Sequence, residues 1–373
     1  MTSTSPRRSK KSSNPENQTH LPNFQEAPAR ICAVGVGGGG TNAIIRMMDE
    51  HPIPGVEYIC INTDIKSLGQ AKKAKVIQIG NVLTRGHGAG GNPQVGFEAA
   101  EQSKKELEVS LSGADLVFLA IGMGGGTGTG AAPLVADIAK KSGALVVAVA
   151  TTPFAFEGVR RMETAHSGLD KLRDHVDNMI IIHNDRLLEL SESETTMETA
   201  LRMADDAVML GVHSVAELVN RPGDINVDLA DVKSIMGLPG HALMAIGEAN
   251  GKDAPLVATK KAISNPLLDL SIQGAKGILF NVNGGNSMTL AEVNEAGKFV
   301  ESQVDRNAMI FFGMANNRNK EEHAHVTIIA TGIPIENAQS YTIENEPIAS
   351  PNKRYDDLAN DDLDIPPFLR RPK

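Results

Sequence analysis

Residues 122–130 read GMGGGTGTG, directly after the apolar run ADLVFLAI. Six glycines and two threonines in nine positions can fold backbone N–H groups around an anion, because glycine accepts positive φ angles and close approach. A Walker A loop would need G-x-x-x-x-G-K-[ST], and no lysine stands here. The positive potential must then come from N–H groups and a helix N-terminus, with Thr127 and Thr129 as hydroxyl donors. A bound cation, Mg²⁺, takes up the remaining phosphate charge. A second stretch, GVGGGGTN at 35–42, contains G-x-G-x-x-G. Alone it points to a dinucleotide turn in an NAD-dependent oxidoreductase, with Asp64 at the end of the next strand as ribose partner. A third glycine-rich stretch, TRGHGAGGN, covers 84–92. The remaining chemistry-bearing residues are acids. Asp205 and Asp206 stand side by side in ADDA; Asp228 and Asp231 stand three apart in NVDLADV. Solvated helix charge explains the first pair, and an N-cap with an acid in the first turn explains the second. No Ser/His/Asp arrangement or zinc-ligand spacing accompanies them.

The elements that position these loops follow from hydrophobic pattern. RICAVGV, VEYICINTD, KVIQIG, ADLVFLAIG, ALVVAVATTPF and NMIIIHND read as strands alternating with helices, the signature of a parallel sheet covered on both faces. Met197, Leu201, Ala204, Val208, Val212, Val215 and Val219 form one helical stripe. From Met197 to Asn220 that helix spans about 36 Å, and RPG ends it. Beyond Gly237, HALMAIGEA, KGILFNVNGG, AMIFFGMAN and HVTIIATG are strands of a smaller α/β unit interleaved with two helices. The organisation read from these patterns is an arm over 1–29, a first domain over 30–196, a central helix over 197–221, a loop and helix over 222–236, a second domain over 237–334, a linker over 335–358 and a terminal peptide over 359–373.

Composition narrows the class. Of 373 residues, 36 are basic and 45 acidic, a net charge of −9 that disfavours a large nucleic-acid surface. Cys32 and Cys60 fall in different strands and read as two buried, reduced thiols. No apolar run is long enough to span a membrane, and the N-terminal arm lacks the apolar stretch of a secretory signal. Its PRRSKK segment reads as a solvated charge run, with weak contact to anionic lipid as the alternative.

GGGTGTG at 124–130, GVGGGGTNA at 35–43, NVDLADV at 226–232 and the terminal LDIPPFLRR together resemble the tubulin/FtsZ GTPase superfamily, from about Arg30 to Gly332 and again at the tail. The resemblance implies a Rossmann-like parallel-sheet GTPase domain, a long central helix, a smaller α/β domain with a mixed sheet, and disordered tails. It also implies GTP and GDP as ligands, Mg²⁺, and head-to-tail polymers that scaffold the ring of bacterial cell division. By motif, Gly38, Gly39, Gly40, Thr41, Asn42, Gly126, Thr127 and Gly128 would contact phosphate and ribose. Glu157 and Arg161, four apart and able to share a helical face, would contact ribose and nucleotide; a surface ion pair is the plainer reading. Asn184 lies at the nucleotide edge. Asp205 matches the guanine reader, since one carboxylate accepts both the N1–H and N2–H donors that adenine lacks. Leu201 replaces the ring often found over the base, and His183 departs from the familiar IPND pattern.

In this family Asp228 and Asp231 belong to the loop that enters the next subunit's pocket and positions the attacking water, with Asn226 orienting loop or water. The tail, with Ile365, Phe368 and Leu369 on one side and Arg370 and Arg371 after them, resembles the docking peptide. There Asp362 to Arg371 would bind membrane tethers of the FtsA or SepF type, at the inner face of the membrane at midcell. A non-hydrolysing structural polymer of the same superfamily is the remaining alternative.

Overall fold

Near-continuous runs of Val, Ile, Leu and Ala build the first sheet, because a strand covered on both faces has no side that tolerates polar residues. In the computed structural model, which describes residues 29–189, 196–220, 229–264, 271–285, 288–316 and 323–334, six parallel strands follow those runs. They are β1 (Ile31–Val36), β2 (Val56–Asn62), β3 (Lys75–Gln78), β4 (Leu116–Gly122), β5 (Leu145–Thr152) and β6 (Asn178–His183), in spatial order β3-β2-β1-β4-β5-β6. The order reverses between β1 and β4, so the crevice outside their carboxyl ends is where such sheets bind ligands.

Alternate residues of each strand go to opposite faces. Ala33, Phe118 and Val147 pack with α1 (Gly37–Glu50). Val34, Leu119 and Ala148 pack with the helices of the other face. Between β2 and β3 lies the single turn α2 (Ile65–Leu68), and after β3 a second, α3 (Asn81–Thr84). The stretch after the third glycine-rich loop is two helices, α4 (Pro93–Gln102) and α5 (Lys104–Leu111), broken at Ser103, whose Oγ accepts from the Gly80 N–H at 3.1 Å. With α6 (Thr127–Lys141) and α7 (Val159–Arg173) they cover this second face. Cys32 and Cys60 point to opposite faces, both buried and free. Burial pushes their thiols up to about 11 and about 12, so both are inert near neutral pH.

After β6 come α8 (Asn184–Glu189) and the central helix α9 (Met197–Asn220). Ala204, Val208, Val212 and Val215 bury the expected stripe against the α1 face of the sheet. Its first two members depart from the expectation: Met197 is 64% and Leu201 45% exposed. The first stripe member in the core is Ala204, two turns after Met197, and the side chain of Val219 lies outside the described residues. Next, α10 (Leu229–Met236) buries Val232, Ile235 and Met236 in the same core. Asn178 Nδ2, at the start of β6, donates to the Met236 carbonyl at 3.2 Å. This fixes α10 at the amino ends of the parallel strands, opposite the crevice.

The smaller unit is built on β7 (His241–Asn250), α11 (Ala254–Ile263), β8 (Gly277–Gly284), α12 (Leu290–Glu301), β9 (Met309–Asn316) and β10 (His323–Ile333). Its sheet is mixed: β10 runs antiparallel to both β7 and β8, and β8 runs parallel to β9. One face holds α11 and α12 over Leu243, Phe280 and Val326. The two sheets join at Ile180↔Ala242 into ten strands. The terminal arm, the linker and the tail lie outside the described residues.

Candidate nucleotide site

The two glycine-rich turns after β1 and β4 meet back to back. A Cβ on Gly37, whose φ is +74°, would lie 2.6 Å from the Gly128 nitrogen; one on Gly128 would lie 2.7 Å from the Gly122 carbonyl. Only glycine permits this contact, and it brings two helix N-termini to one point. The first turn of α1 is Gly37–Gly40 and that of α6 begins at Thr127. Neither helix has a side-chain cap: Val36 cannot supply one and Gly126 has none to offer. The first N–H groups of a helix have no intrahelical acceptor, so two positive dipole ends face the crevice with no side-chain cap among the described residues. A Gly37→Ala variant should lose nucleotide binding and about 1–2 kcal/mol of stability, since alanine pays for the left-handed conformation even before the clash. Calorimetric titration with GDP and a thermal melt check the two effects separately.

A cavity of about 430 Å³ opens over these turns. It gathers Gly38, Gly39 and Asn42 from the first loop and Gly126, Thr127 and Gly128 from the second, together with Glu157, Arg161, Asn184 and Asp205. The other two first-loop candidates sit behind it. A Cβ on Gly40 would lie 2.0 Å from the Ala120 carbonyl, so this glycine serves the close packing of α1 on β4. Thr41 is fully buried, with an Oγ1 that has no hydrogen-bond partner among the described residues. Thr127 Oγ1 shares a 2.6 Å hydrogen bond with Thr63 Oγ1. Thr129, expected as a ligand donor, instead faces away from the cavity; its Oγ1 accepts from the Gly124 N–H at 2.9 Å and braces the loop. Asp64 is likewise spent locally, accepting from the Lys66 N–H at 2.9 Å and from Ser67 Oγ at 3.0 Å. It is not in the cavity wall, which removes the ribose partner a dinucleotide turn would need.

Glu157 and Arg161 do form an ion pair, and both line the cavity. They do not share one helical face as their spacing suggested. Glu157 ends a 3-10 turn over Ala155–Glu157, Gly158 follows at φ +99°, and Arg161 stands in the first turn of α7. Glu157 Oε1 also accepts from the Phe154 N–H at 3.0 Å. The turn therefore holds the carboxylate, and the pair leaves the guanidinium at the rim. Asn184 is buried in the wall, and its Oδ1 has no partner among the described residues. An orphaned buried acceptor carries a desolvation cost until a ligand donates to it. His183 beside it does not line the cavity; its Nδ1 lies 3.1 Å from Thr152 Oγ1.

At the opposite end of the cavity Asp205 projects from α9 beside Leu201. Burial pushes its carboxyl up to about 6, Arg46 opposes the rise, and Asp206 adds to it. Asp206 is not simply solvated: its Oδ1 lies 2.9 Å from Arg46 Nη1, an ion pair without hydrogen-bond geometry. Arg46 also donates to the Arg202 carbonyl at 3.1 Å and to Glu50 Oε1 at 3.2 Å, tying α1 to α9. The raised pKa carries a pH dependence. In the guanine-reading role that the resemblance implies for Asp205, the carboxylate would accept both donors, whereas the protonated acid has one fewer acceptor site. GDP affinity should therefore hold above pH 6 and fall as pH drops toward 5, with the inflection near 6 in the empty protein. Titrations at several pH values, set against Asp205→Asn, check this.

Sequence pattern does not mark Arg46, the contribution of Ala89 and Gly91 from the third glycine-rich loop, or that of Thr151, Thr152 and Pro153 after β5. The polar TTP directly after an apolar strand was the available signal for the last three, since ligands gather at the carboxyl ends of such strands. Arg46 shows only an ordinary i, i+4 spacing to Glu50. Asp231 stands in the first turn of α10 and is not in the cavity wall. Asn226 and Asp228 lie outside the described residues. Between Leu201 and Asn220 alone, α9 rises about 28 Å away from the cavity.

Comparison with known proteins gives the same architecture a family. Residues 30–192 match the GTPase domain of the Tubulin/FtsZ family, and residues 240–334 match the C-terminal domain of the FtsZ family. An FtsZ dimer from M. jannaschii is 42% identical over 86% of this chain and 93% of that one, with a TM-score of 0.79. A second FtsZ structure from M. jannaschii has the same identity and TM-score, with 96% of its chain covered. CetZ2 from Haloferax volcanii, a GTPγS-bound protofilament, shares the fold at 21% identity and a TM-score of 0.68, over 82% of this chain and 94% of that one. Three glycine-rich loops converging at a sheet reversal, a central helix bearing the acid pair, and this identity over nearly the whole described chain agree: the chain belongs to the FtsZ family of tubulin-like GTPases.

Proposed function

We propose that this chain binds GTP in the 430 Å³ cavity and polymerises head to tail, hydrolysing GTP only where one subunit completes the site of the next. One observation carries the reading. Among the described residues the cavity wall holds two carboxylates: Glu157 is committed to Arg161, and Asp205 stands at the far end beside Leu201. The glycine loops therefore have backbone donors but no acid to orient water, while Asp231 stands at the other end of the molecule. Carboxylates brought in by a partner would escape permanent repulsion by the triphosphate and place a water in line with the γ-phosphate. Asp228 and Asn226, on the segment just before α10, are assigned to the same task. A contact of this kind is heterologous and does not close, so it generates filaments.

The N–H groups at Gly38, Gly39 and Gly126–Gly128 would hold the phosphates. Arg161, Glu157, Asn42 and Asn184 would meet the ribose and the nucleotide edge, and Asp205 would read guanine under Leu201. Mg²⁺ fits as an ion carried by phosphate oxygens and water, since among the described residues no group of three His, Cys, Asp or Glu side chains could hold a metal. Ile65, Val82, Phe156 and Val159, all at the carboxyl-end side of the parallel strands, are more than half exposed. They offer apolar area around the mouth for a second copy, in keeping with the dimer recorded for the M. jannaschii relative. Such filaments would scaffold a cytokinetic ring in the cytoplasm. The tail from Asp362 to Arg371 would link them to a membrane tether of the FtsA or SepF type, consistent with the absence of a membrane-spanning helix among the described residues. Thermal shift with GDP, ADP and NAD tests the ligand class. A shift with GDP alone is expected; a shift with NAD and none with GDP would return the oxidoreductase reading.

A further inference from the structure

A second concavity, about 560 Å³, lies on the other side of α6 from the nucleotide cavity, between α4, α6 and α7. One wall is apolar, with Phe97 (40% exposed), Pro93 and Pro133. The other is a polar row on and just past α7: Glu163, Ser167, Lys171 and His175, each four residues on from the last. This row is about 18 Å long, acidic at one end and basic at the other. Lys171 and Glu163 are exposed and have no ion-pair partner among the described residues, while His175 Nδ1 lies 3.6 Å from Asp137.

The end of the described chain lies at the basic end of this row. Ile333 pairs with His241, whose neighbour Ala242 pairs with Ile180. β6, which contains Ile180, starts three residues after His175. The His241 pKa, lowered by burial and then by the Arg173 guanidinium, is consistent with the same proximity. From there the sequence continues through a polar linker to three acids (Asp361, Asp362, Asp364), then Ile365, Phe368 and Leu369, then Arg370 and Arg371. The order of charges along the tail complements the groove in the direction in which the chain arrives.

We propose that residues 361–371 of this chain seat in its own α4–α6–α7 groove. The acids meet Lys171 and His175, the apolar residues lie on Phe97 and Pro133, and Arg370 and Arg371 reach Glu163. Between Pro334 and Asp361 the chain can reach at most about 90 Å fully extended, ample to bring residues 361–371 to the groove. A seated tail is withheld from other partners, and it rests against Thr129, the residue that braces the phosphate loop. The inference does not depend on the identity of any tether.

Energy transfer in the full-length chain tests it. Gln94→Cys at the groove rim and Lys373→Cys carry a donor–acceptor pair, since the buried Cys32 and Cys60 thiols stay unlabelled near neutral pH. In dilute GDP-bound protein, high transfer is expected. Lys171→Glu should lower it toward the value in denaturant, and adding Asp362→Lys with Asp364→Lys to that variant should restore it. Transfer unmoved by Lys171→Glu would overturn the proposal. So would transfer that vanishes on dilution with unlabelled chain, which would place the tail on a second copy.

Discussion

Asp231→Asn is expected to leave GTP binding intact and to lower steady-state turnover by about 10²–10⁴-fold, the span typical for loss of one positioned acid or base. The side chain keeps its volume, and Asp231 is absent from the cavity wall, so the affinity of an isolated subunit has no reason to change. Its charge also complements the start of α10, and losing that interaction costs about 0.3–1 kcal/mol. A slightly lower melting temperature with normal turnover would therefore reduce Asp231 to a helix-start residue. Mixing gives a sharper form of the prediction. A chain with an intact cavity but Asp231→Asn and a chain with intact acids but a crippled cavity are each inactive alone. Together they should recover activity at junctions that pair a good cavity with a good acid, about a quarter of them at equal mixing in a head-to-tail polymer. No recovery in co-assembled polymer would place both groups in one chain.

Asp205→Ala gives the second large effect and separates function from stability by sign. In the proposed site GTP would lose two charge-assisted hydrogen bonds to guanine, each worth about 1.5–3 kcal/mol, so affinity should fall by two orders of magnitude or more. Discrimination against ATP should largely disappear. The empty protein should respond in the opposite direction. Burial raises the Asp205 pKa to about 6, so its charge is unfavourable in the fold above that pH. The folded pKa exceeds the unfolded one, and the wild-type penalty is therefore complete above about pH 6 and fades as pH falls toward 4. Removing the carboxylate should leave the melting temperature of the nucleotide-free protein at pH 7.5 unchanged or higher. A large loss of stability without nucleotide would mean that Asp205 acts through Arg46 as part of the α1–α9 contact.

Much of this architecture was legible because its signals are local. Apolar runs marked the ten described strands, and the stripe from Met197 onward marked the central helix. Glycine clusters marked loops whose backbones approach within a Cβ of one another, as at Gly37 and Gly128. What remained hidden depends on directions that spacing does not encode. Thr127 and Thr129 are two apart in one loop, yet one faces the cavity and the other supports the loop from behind. Gly40 and Thr41 lie in the same motif as Gly38 and Gly39 but turn into the α1–β4 contact. Glu157 and Arg161 have helical spacing, and the positive φ of Gly158 between them changes how they meet. Arg46 pairs across 160 residues with Asp206, a contact set by helix packing alone. Leu201 and Met197 look like the first core positions of a stripe, but they stand at the end where α9 leaves the core for the nucleotide cavity.

In the proposed filament one chain holds the nucleotide and another completes its hydrolysis. Phosphate release measured against protein concentration, with GTP and Mg²⁺ and with light scattering recorded alongside, tests it most directly. Almost no release per molecule is expected below a threshold concentration, and a rise in specific activity above it, together with the scattering. A specific activity that stays constant through dilution, in samples that scatter no light, would contradict it and place catalysis within a single chain.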